Sequence, residues 1–235
     1  MDDLLQVQSL NKRFGGVIAL DDISFELSKS HIYGLIGPNG SGKTTLLNVI
    51  SGIYRPDGGR ILYKNKPIHG KAPHSIAKMG VARTFQTPRE FWNLTVRQNI
   101  LAVLPSDRRN NREVDRILST MGLGELGETS SRNLGYGQKK QLEFARALAL
   151  DADLIMLDEP MAGLDVPQIE SMSKSITKIH NEFSKTFLIV EHHLEELMKL
   201  AEWVIVLDNG LKIAEGDPKS IRDDAKVYAA YFGST

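Results

Sequence analysis

The sequence predicts an α/β fold built on a mostly parallel sheet, with an antiparallel β portion at the N-terminus and an inserted α-helical subdomain. Three observations carry that prediction. After residue 150 the chain alternates by type: strand "DLIMLDE", helix 166–183, strand "KTFLIVE", helix 193–201, strand "WVIVLDNG" and then "LKIAEG". Strands that are apolar throughout and alternate with helices belong to a parallel sheet covered on both faces. The first part of the chain instead reads as short apolar or alternating strands, "LLQVQSL", "ISFELS" and "GRILYKNKPI", the last entered through the turn "RPDGG". Residues 89–150 show helical stretches and no convincing strand.

Taken in order, the strand "HIYGLIG" leads into a helix over 42–50. The middle segment predicts helices over 95–103, 112–121 and 137–150, the first with Thr95 as its N-cap before "VRQNILAV". The polar stretch "SDRRNNRE" reads as an exposed connection. The expected division is an α/β core from 1–88 and 151–235, with 89–150 as the helical subdomain.

Composition narrows the partners. Lys plus Arg balance Asp plus Glu at 29 each, so no overall field draws the chain to nucleic acid or an anionic membrane, and no nucleic-acid partner is expected. The absence of cysteine excludes disulfides, zinc thiolate sites and cysteine nucleophiles. "MDDLLQVQSLNKRF" has no apolar segment of the kind a secretory signal carries, so none is expected. The longest apolar runs, "FLIV" and "WVIVL", fall far short of the ~20 residues a membrane helix needs, so any membrane role is expected to be peripheral.

The most specific motif is Gly37-Pro38-Asn39-Gly40-Ser41-Gly42-Lys43-Thr44-Thr45. An apolar strand ends in a glycine-rich turn whose N–H groups can wrap phosphate oxygens, and a helix then begins with its positive end at the same point. Lys43 is expected at the β/γ-phosphates of a nucleotide and the Thr44 hydroxyl in a Mg²⁺ shell. "DLIMLDEP" adds Asp158 and Glu159 at a strand end, where a parallel sheet presents ligand-binding residues. Beside the phosphate loop, Asp158 is placed to hold hydrated Mg²⁺, and Glu159 to orient or deprotonate an attacking water. "NKRF" and "NKPI" lack the aspartate of a guanine-binding Asn-Lys-x-Asp, so guanine specificity is not supported.

Behind the P-loop, the order "RTFQTP", "NLGYGQ", "LIMLDEP", "AGLD", "LIVEHH" resembles the ATP-binding subunits of ABC transporters over essentially the whole chain. "MGVARTFQTPREFWNLTVRQNI" and "VYAAYFG" look most like the branch that takes up branched-chain, hydrophobic amino acids. Branches carrying urea, amides or lipopolysaccharide are also similar. The resemblance implies a P-loop NTPase core, ATP and Mg²⁺ as ligands, and hydrolysis of ATP. Residue by residue it implies that Phe14 stacks on adenine, that Gln86 touches Mg²⁺ or the attacking water, and that Asp165 links two ATP sites. The other reading of Phe14 is a core aromatic on an N-terminal strand, and by composition alone Asp165 reads as the N-cap of the following helix. His192 matches the histidine that contacts the γ-phosphate. Its neighbour His193 points the opposite way on extended backbone, and nothing nearby completes a metal-ligand set for the pair.

"NLGYGQKKQLEFARAL" resembles the family's signature loop, with Gly135, Tyr136, Gly137 and Gln138 leading into a helix about ninety residues after Lys43. The resemblance implies that this helix start faces the γ-phosphate held by a second subunit, identical or paralogous, with two chains meeting head to tail around two ATP molecules. Gly135 stands where most relatives have a serine, leaving backbone N–H groups and the helix dipole to face the anion. In the helix, Leu142, Ala145 and Ala149 read as an apolar stripe opposite Lys139, Glu143 and Arg146. Phe91 and Trp92 in "REFWNL" read either as core or as a groove for integral membrane transporter subunits, which in turn engage a solute-binding protein. The expected location is cytoplasmic, on the inner face of the cell membrane. A non-transport ATPase of the iron–sulfur assembly type is the alternative of similar size.

Overall fold

Hydrophobic periodicity sorts the chain into two sheets and the helices that cover them; the computed structural model describes residues 3–232. Strands β1 (Asp3–Phe14) and β2 (Val17–Ser28) pair antiparallel, and β3 (Ile32–Ile36) runs into α1 (Lys43–Ile50). Strands β4 (Gly58–Tyr63) and β5 (Lys66–Pro67) complete a four-stranded antiparallel sheet in the order β2-β1-β4-β5. Helix α2 (Pro73–Lys78) and strand β6 (Val81–Arg83) precede α3 (Val96–Leu101), α4 (Asn111–Thr120) and α5 (Tyr136–Ala149). The expected alternation then follows as β7 (Leu154–Asp158), α6 (Val166–Phe183), β8 (Thr186–Val190), α7 (Leu194–Leu200) and β9 (Trp203–Asp208). Strand β10 (Leu211–Gly216) and the short helices α8 (Pro218–Arg222) and α9 (Ala225–Phe232) come last.

The second sheet has the order β10-β9-β3-β8-β7-β6, parallel except for the β9–β10 edge. Alternate residues of its strands fall into two separate cores, as the period of two requires. Ile36, Leu157, Phe187, Ile189 and Val206 pack with α3 to α7. Leu35, Met156, Leu188, Val190 and Leu207 pack with α1 and the antiparallel sheet. The central strands β3, β7 and β8 are buried at every position, which is why they read as unbroken apolar runs.

Register decides where function can sit. Leu35 of β3 and Asp158 of β7 both pair with Val190 of β8, so the three strands end level with one another. Everything that follows them emerges at one edge of the sheet.

Thr95 caps α3 as expected: its hydroxyl accepts from the Gln98 N–H at 3.2 Å, and the Gln98 side chain accepts from the Thr95 N–H at 3.0 Å. The "SDRRNNRE" connection is less free than its polarity suggests. Ser106–Arg108 forms a 3₁₀ turn, and Arg108 bridges Glu113 and Asp151, each at 2.5 Å. The expected solvent face of α5 also differs, because Glu143 and Lys140 are buried and only a narrow side of that helix meets water. Strand β6 and helices α2, α8 and α9 were not expected from sequence; each is too short for periodicity to show.

One contact between the middle helices and the sheet is the edge-to-face pair of Phe144 (α5) and Phe187 (β8), with centroids 6.0 Å apart and both rings buried. Phe144→Ala should lower unfolding free energy by about 3–5 kcal/mol, read from urea denaturation monitored by circular dichroism.

Candidate functional site

At the end of β3 the chain must turn sharply under the neighbouring backbone, and residue type follows from that. Gly37 has φ +153°, and a Cβ there would lie 2.1 Å from the Leu207 carbonyl oxygen. Gly42, at φ +106°, caps α1 and offers its carbonyl to the Leu46 N–H at 2.8 Å. Pro38 is half-buried, Asn39 and Gly40 are exposed, Ser41 is buried, and Thr44 and Thr45 open α1 with the Thr44 side exposed. Lys43 is 6% exposed, and its ammonium is held within its own loop, donating to the carbonyls of Gly37 at 2.7 Å and Pro38 at 2.9 Å. Burial pushes its pKa down, against the opposing pull of Glu159 and Asp158.

Asp158 is buried and paired with Arg83 at 2.8 Å. Arg83 also donates to Asn48 at 2.7 Å and Ser51 at 3.2 Å, so it ties β6 and β7 to α1. Glu159 follows in the left-handed region, at φ +51°, with its N–H on the Val190 carbonyl at 2.9 Å. That turn aims its carboxylate between two other segments. Gln86 Nε2 donates to Oε2 at 2.7 Å, and His192 Nε2 lies 3.0 Å from Oε1. The structure thus brings together Gln86, Glu159 and His192, three residues drawn from three separate segments of sequence.

Two supporting residues escaped the sequence reading. Glu191 is buried, and its carboxylate accepts from the N–H groups of Met161 at 2.6 Å, His192 at 3.1 Å and His193 at 3.4 Å. Burial raises its pKa while those N–H groups pull it back. It fixes the main chain that presents His192, and leaves His193 at the N-cap of α7. Lys140 is 3% exposed and donates to the carbonyls of Gln86 at 2.7 Å and Glu159 at 2.9 Å. Nothing in its surroundings in sequence, Gln138-Lys139-Lys140-Gln141, sets it apart from a solvated lysine.

The signature-like turn is held by the segment that carries Asp165. Gly135 caps α5, and its N–H donates to the Gln138 side chain at 2.9 Å. Tyr136 packs so closely on Gly163 (φ +76°) that a Cβ there would lie 3.0 Å from the ring. Gly137 lies against the amide of Gln168, the residue whose N–H the Asp165 carboxylate accepts at 2.9 Å as N-cap of α6. Residues 135–138 and 163–168 therefore form one contiguous surface.

Phe14 is 43% exposed at the end of β1, edge-on to Tyr54 at 5.1 Å with Lys12 5.2 Å from its ring. It is an open aromatic face and no part of the core. Phe91 and Trp92 are also exposed, at 42% and 58%, beneath the guanidinium groups of Arg146 and Arg132 at 4.3 and 4.0 Å. The buried Asn99 clamps the Phe91 main chain, accepting from its N–H at 2.8 Å and donating to its carbonyl at 3.1 Å.

Just inside that surface, Glu143 accepts from the Phe85 N–H at 2.8 Å, and burial pushes its carboxyl up to about 7 from an ordinary 4.5. The folded state holds this proton to higher pH than the unfolded chain does. The stability it lends is full below about 4.5 and is lost as pH rises through about 7. Relative to Glu143→Gln, the wild type should lose on the order of 2 kcal/mol between about pH 5 and pH 8, measured by urea denaturation at both.

Comparison with known proteins places this geometry. The ABC transporter family model matches residues 20–162. The chain is 36% identical, over 98% of each sequence, to a high-affinity branched-chain amino acid transport ATP-binding protein of Escherichia coli (strain K12). It is 33% identical, over 99% of this chain and 98% of the other, to a lipopolysaccharide export system ATP-binding protein of Acidithiobacillus ferridurans. Among solved structures it is similar to a nucleotide-free ATP-binding cassette from an ABC transporter, with TM-score 0.89, 32% identity, and 99% and 100% of the two chains covered. A cassette in its ADP conformation gives TM-score 0.87 at 31% identity, with both chains covered in full. The chain belongs to the ABC transporter family, as one of its ATP-hydrolysing, ATP-binding cassettes.

Proposed function

We propose that this ATPase drives uptake of a branched-chain or other small amino acid through separate membrane subunits, with Glu159 as the group that activates water. The observation that carries the chemistry is the convergence of Gln86 and His192 on the two oxygens of Glu159, level with the Lys43 loop. Phosphoryl transfer to water needs little beyond placement and charge neutralisation. In this reading Glu159 accepts the proton of the attacking water. Gln86 and His192 hold the water in line, and His192 also meets the γ-phosphate. Lys43 and the amides of 37–45 take the phosphate oxygens, and Phe14 supplies a stacking face for adenine.

The donor set fits Mg²⁺, which keeps several waters and asks a protein for only one or two hard oxygen ligands beside the phosphates. Thr44 offers a hydroxyl, Gln86 an amide oxygen, and Asp158 a carboxylate whose Oδ2 is bonded to Arg83. When bound, Mg²⁺ would neutralise charge developing on the phosphates.

The contiguous surface of Gly135, Tyr136, Gly137, Gln138 and Asp165 supports a head-to-tail dimer, in which it covers ATP held by the other subunit. The exposed pair Phe91 and Trp92 supports docking of a short membrane-subunit helix, and it leads directly back to Gln86. Residues 89–150 then act as the coupling unit on a core made of 1–88 and 151–235, with a solute-binding protein engaged only through the membrane subunits. Among the described residues no helix is long and apolar enough to cross a membrane, in keeping with a peripheral place on its cytoplasmic face.

Glu159→Gln should retain ATP binding while phosphate release falls at least about 100-fold; unchanged turnover would remove Glu159 from this role. With Mg-ATP that variant should elute as a dimer, and a monomer there would overturn the head-to-tail arrangement. Trp92→Ala in the assembled transporter should lose both solute uptake and co-purification with the membrane subunits, with the chain's thermal melting unchanged. Mass spectrometry of membrane proteins that co-purify with the wild type separates amino acid uptake from lipopolysaccharide export.

A further inference from the structure

Residues 139 and 140 are both lysine, yet they behave differently. Lys139 lies at the surface and pairs with Glu90 at 2.9 Å, whereas Lys140 is buried to 97%. Withdrawing an ammonium from water is costly unless its donors are well used. Here two are spent on main-chain carbonyls, those of Gln86 and Glu159. The side chains of these same two residues bond to each other at 2.7 Å. Three hydrogen bonds therefore close a ring: ammonium to Gln86 carbonyl, Gln86 amide to Glu159 carboxylate, Glu159 carbonyl back to the ammonium.

The ring acts on a strained residue. Glu159 sits at φ +51°, a conformation that is strained for a non-glycine residue and persists only where its surroundings over-determine it. Its N–H is fixed by the Val190 carbonyl, and its carbonyl accepts from Lys140 at 2.9 Å and, less closely, from the Ala162 N–H at 3.2 Å. Burial pulls the pKa of Lys140 down, against the opposing pull of the carboxylates of Glu143, Glu191, Glu159 and Asp158. Lys140 also lies one turn into α5, 5.8 Å from the ring of Tyr136 in the signature-like turn.

We propose that Lys140 is a positioning residue for ATP hydrolysis, holding the main chains of Gln86 and Glu159 in the conformation that aims the Glu159 carboxylate and making that aim depend on the placement of the signature helix. This rests on the reading of Glu159 as the water-activating group. Lys140→Met should lower kcat about 10- to 100-fold with KM for ATP changed less than about threefold, because the aim of the base is lost and the phosphate loop is untouched. Lys140→Arg, which keeps the charge and several donors, should return to within about threefold of wild type. Lys140→Gln, able to serve only one carbonyl well, should fall between them. In a Glu159→Gln background, Lys140→Met should cost less than about threefold more, since it acts through the carboxylate already removed.

Full additivity of the two changes, or a loss carried mainly in KM, would overturn the proposal. So would Arg and Gln variants of equal kcat, and that ordering decides the matter should Lys140→Met fail to fold. Failure of the Glu159 reading itself shows separately, as normal turnover in the single Glu159→Gln variant.

Discussion

The site depends on one constraint, the parallel register that pairs Leu35 and Asp158 with the same residue, Val190. Because β3, β8 and β7 end in one row, the phosphate loop, His192 and Glu159 leave the sheet together. A slip of one residue in β8 would exchange its two faces, sending Phe187 and Ile189 toward α1 and moving His192 off the row. Such a slip is resisted on both sides, since each face of the strand is buried against a different core. The apolar strands therefore serve the chemistry by fixing where their ends fall.

Legibility followed the range of each interaction. The phosphate loop was readable because strand, glycine turn, lysine and helix are consecutive, and each residue's reason lies within a few neighbours. The helix over 166–183 was readable in full, because Asp165 and Gln168 cap it locally and its periodicity is long. Arg83, Asn99, Lys140 and Glu191 were not readable from residue chemistry. Each is a polar side chain whose partners come from other segments: Arg83 with Asp158, Asn99 with Phe91, Lys140 with Gln86 and Glu159, Glu191 with Met161. Periodicity even pointed the wrong way for Glu143, since an acidic residue opposite an apolar stripe reads as solvated until a buried N–H is found above it.

Neutral composition conceals how unevenly charge is spent. The chain carries equal numbers of acidic and basic residues, and several of each lie inside, along α5 and the strand ends. These interior groups bond chiefly to main chain. Lys43 and Lys140 hold carbonyls, while Glu143 and Glu191 hold N–H groups. Buried ionic groups of this kind add little to stability and much to where a loop may lie.

The Lys43 ammonium is already bonded to two carbonyls of its own loop, so a ligand must win it by exchange rather than meet an idle charge. Trading neutral oxygens for neutral oxygens gains nothing; trading them for anionic ones gains the difference between an ordinary and a charge-assisted hydrogen bond. The exchange thereby favours anionic over neutral oxygens, and the loop keeps the lysine's long side chain ordered so that little rotamer entropy remains to be lost on capture. Selection by charge is written into the partners that the lysine holds within its own loop.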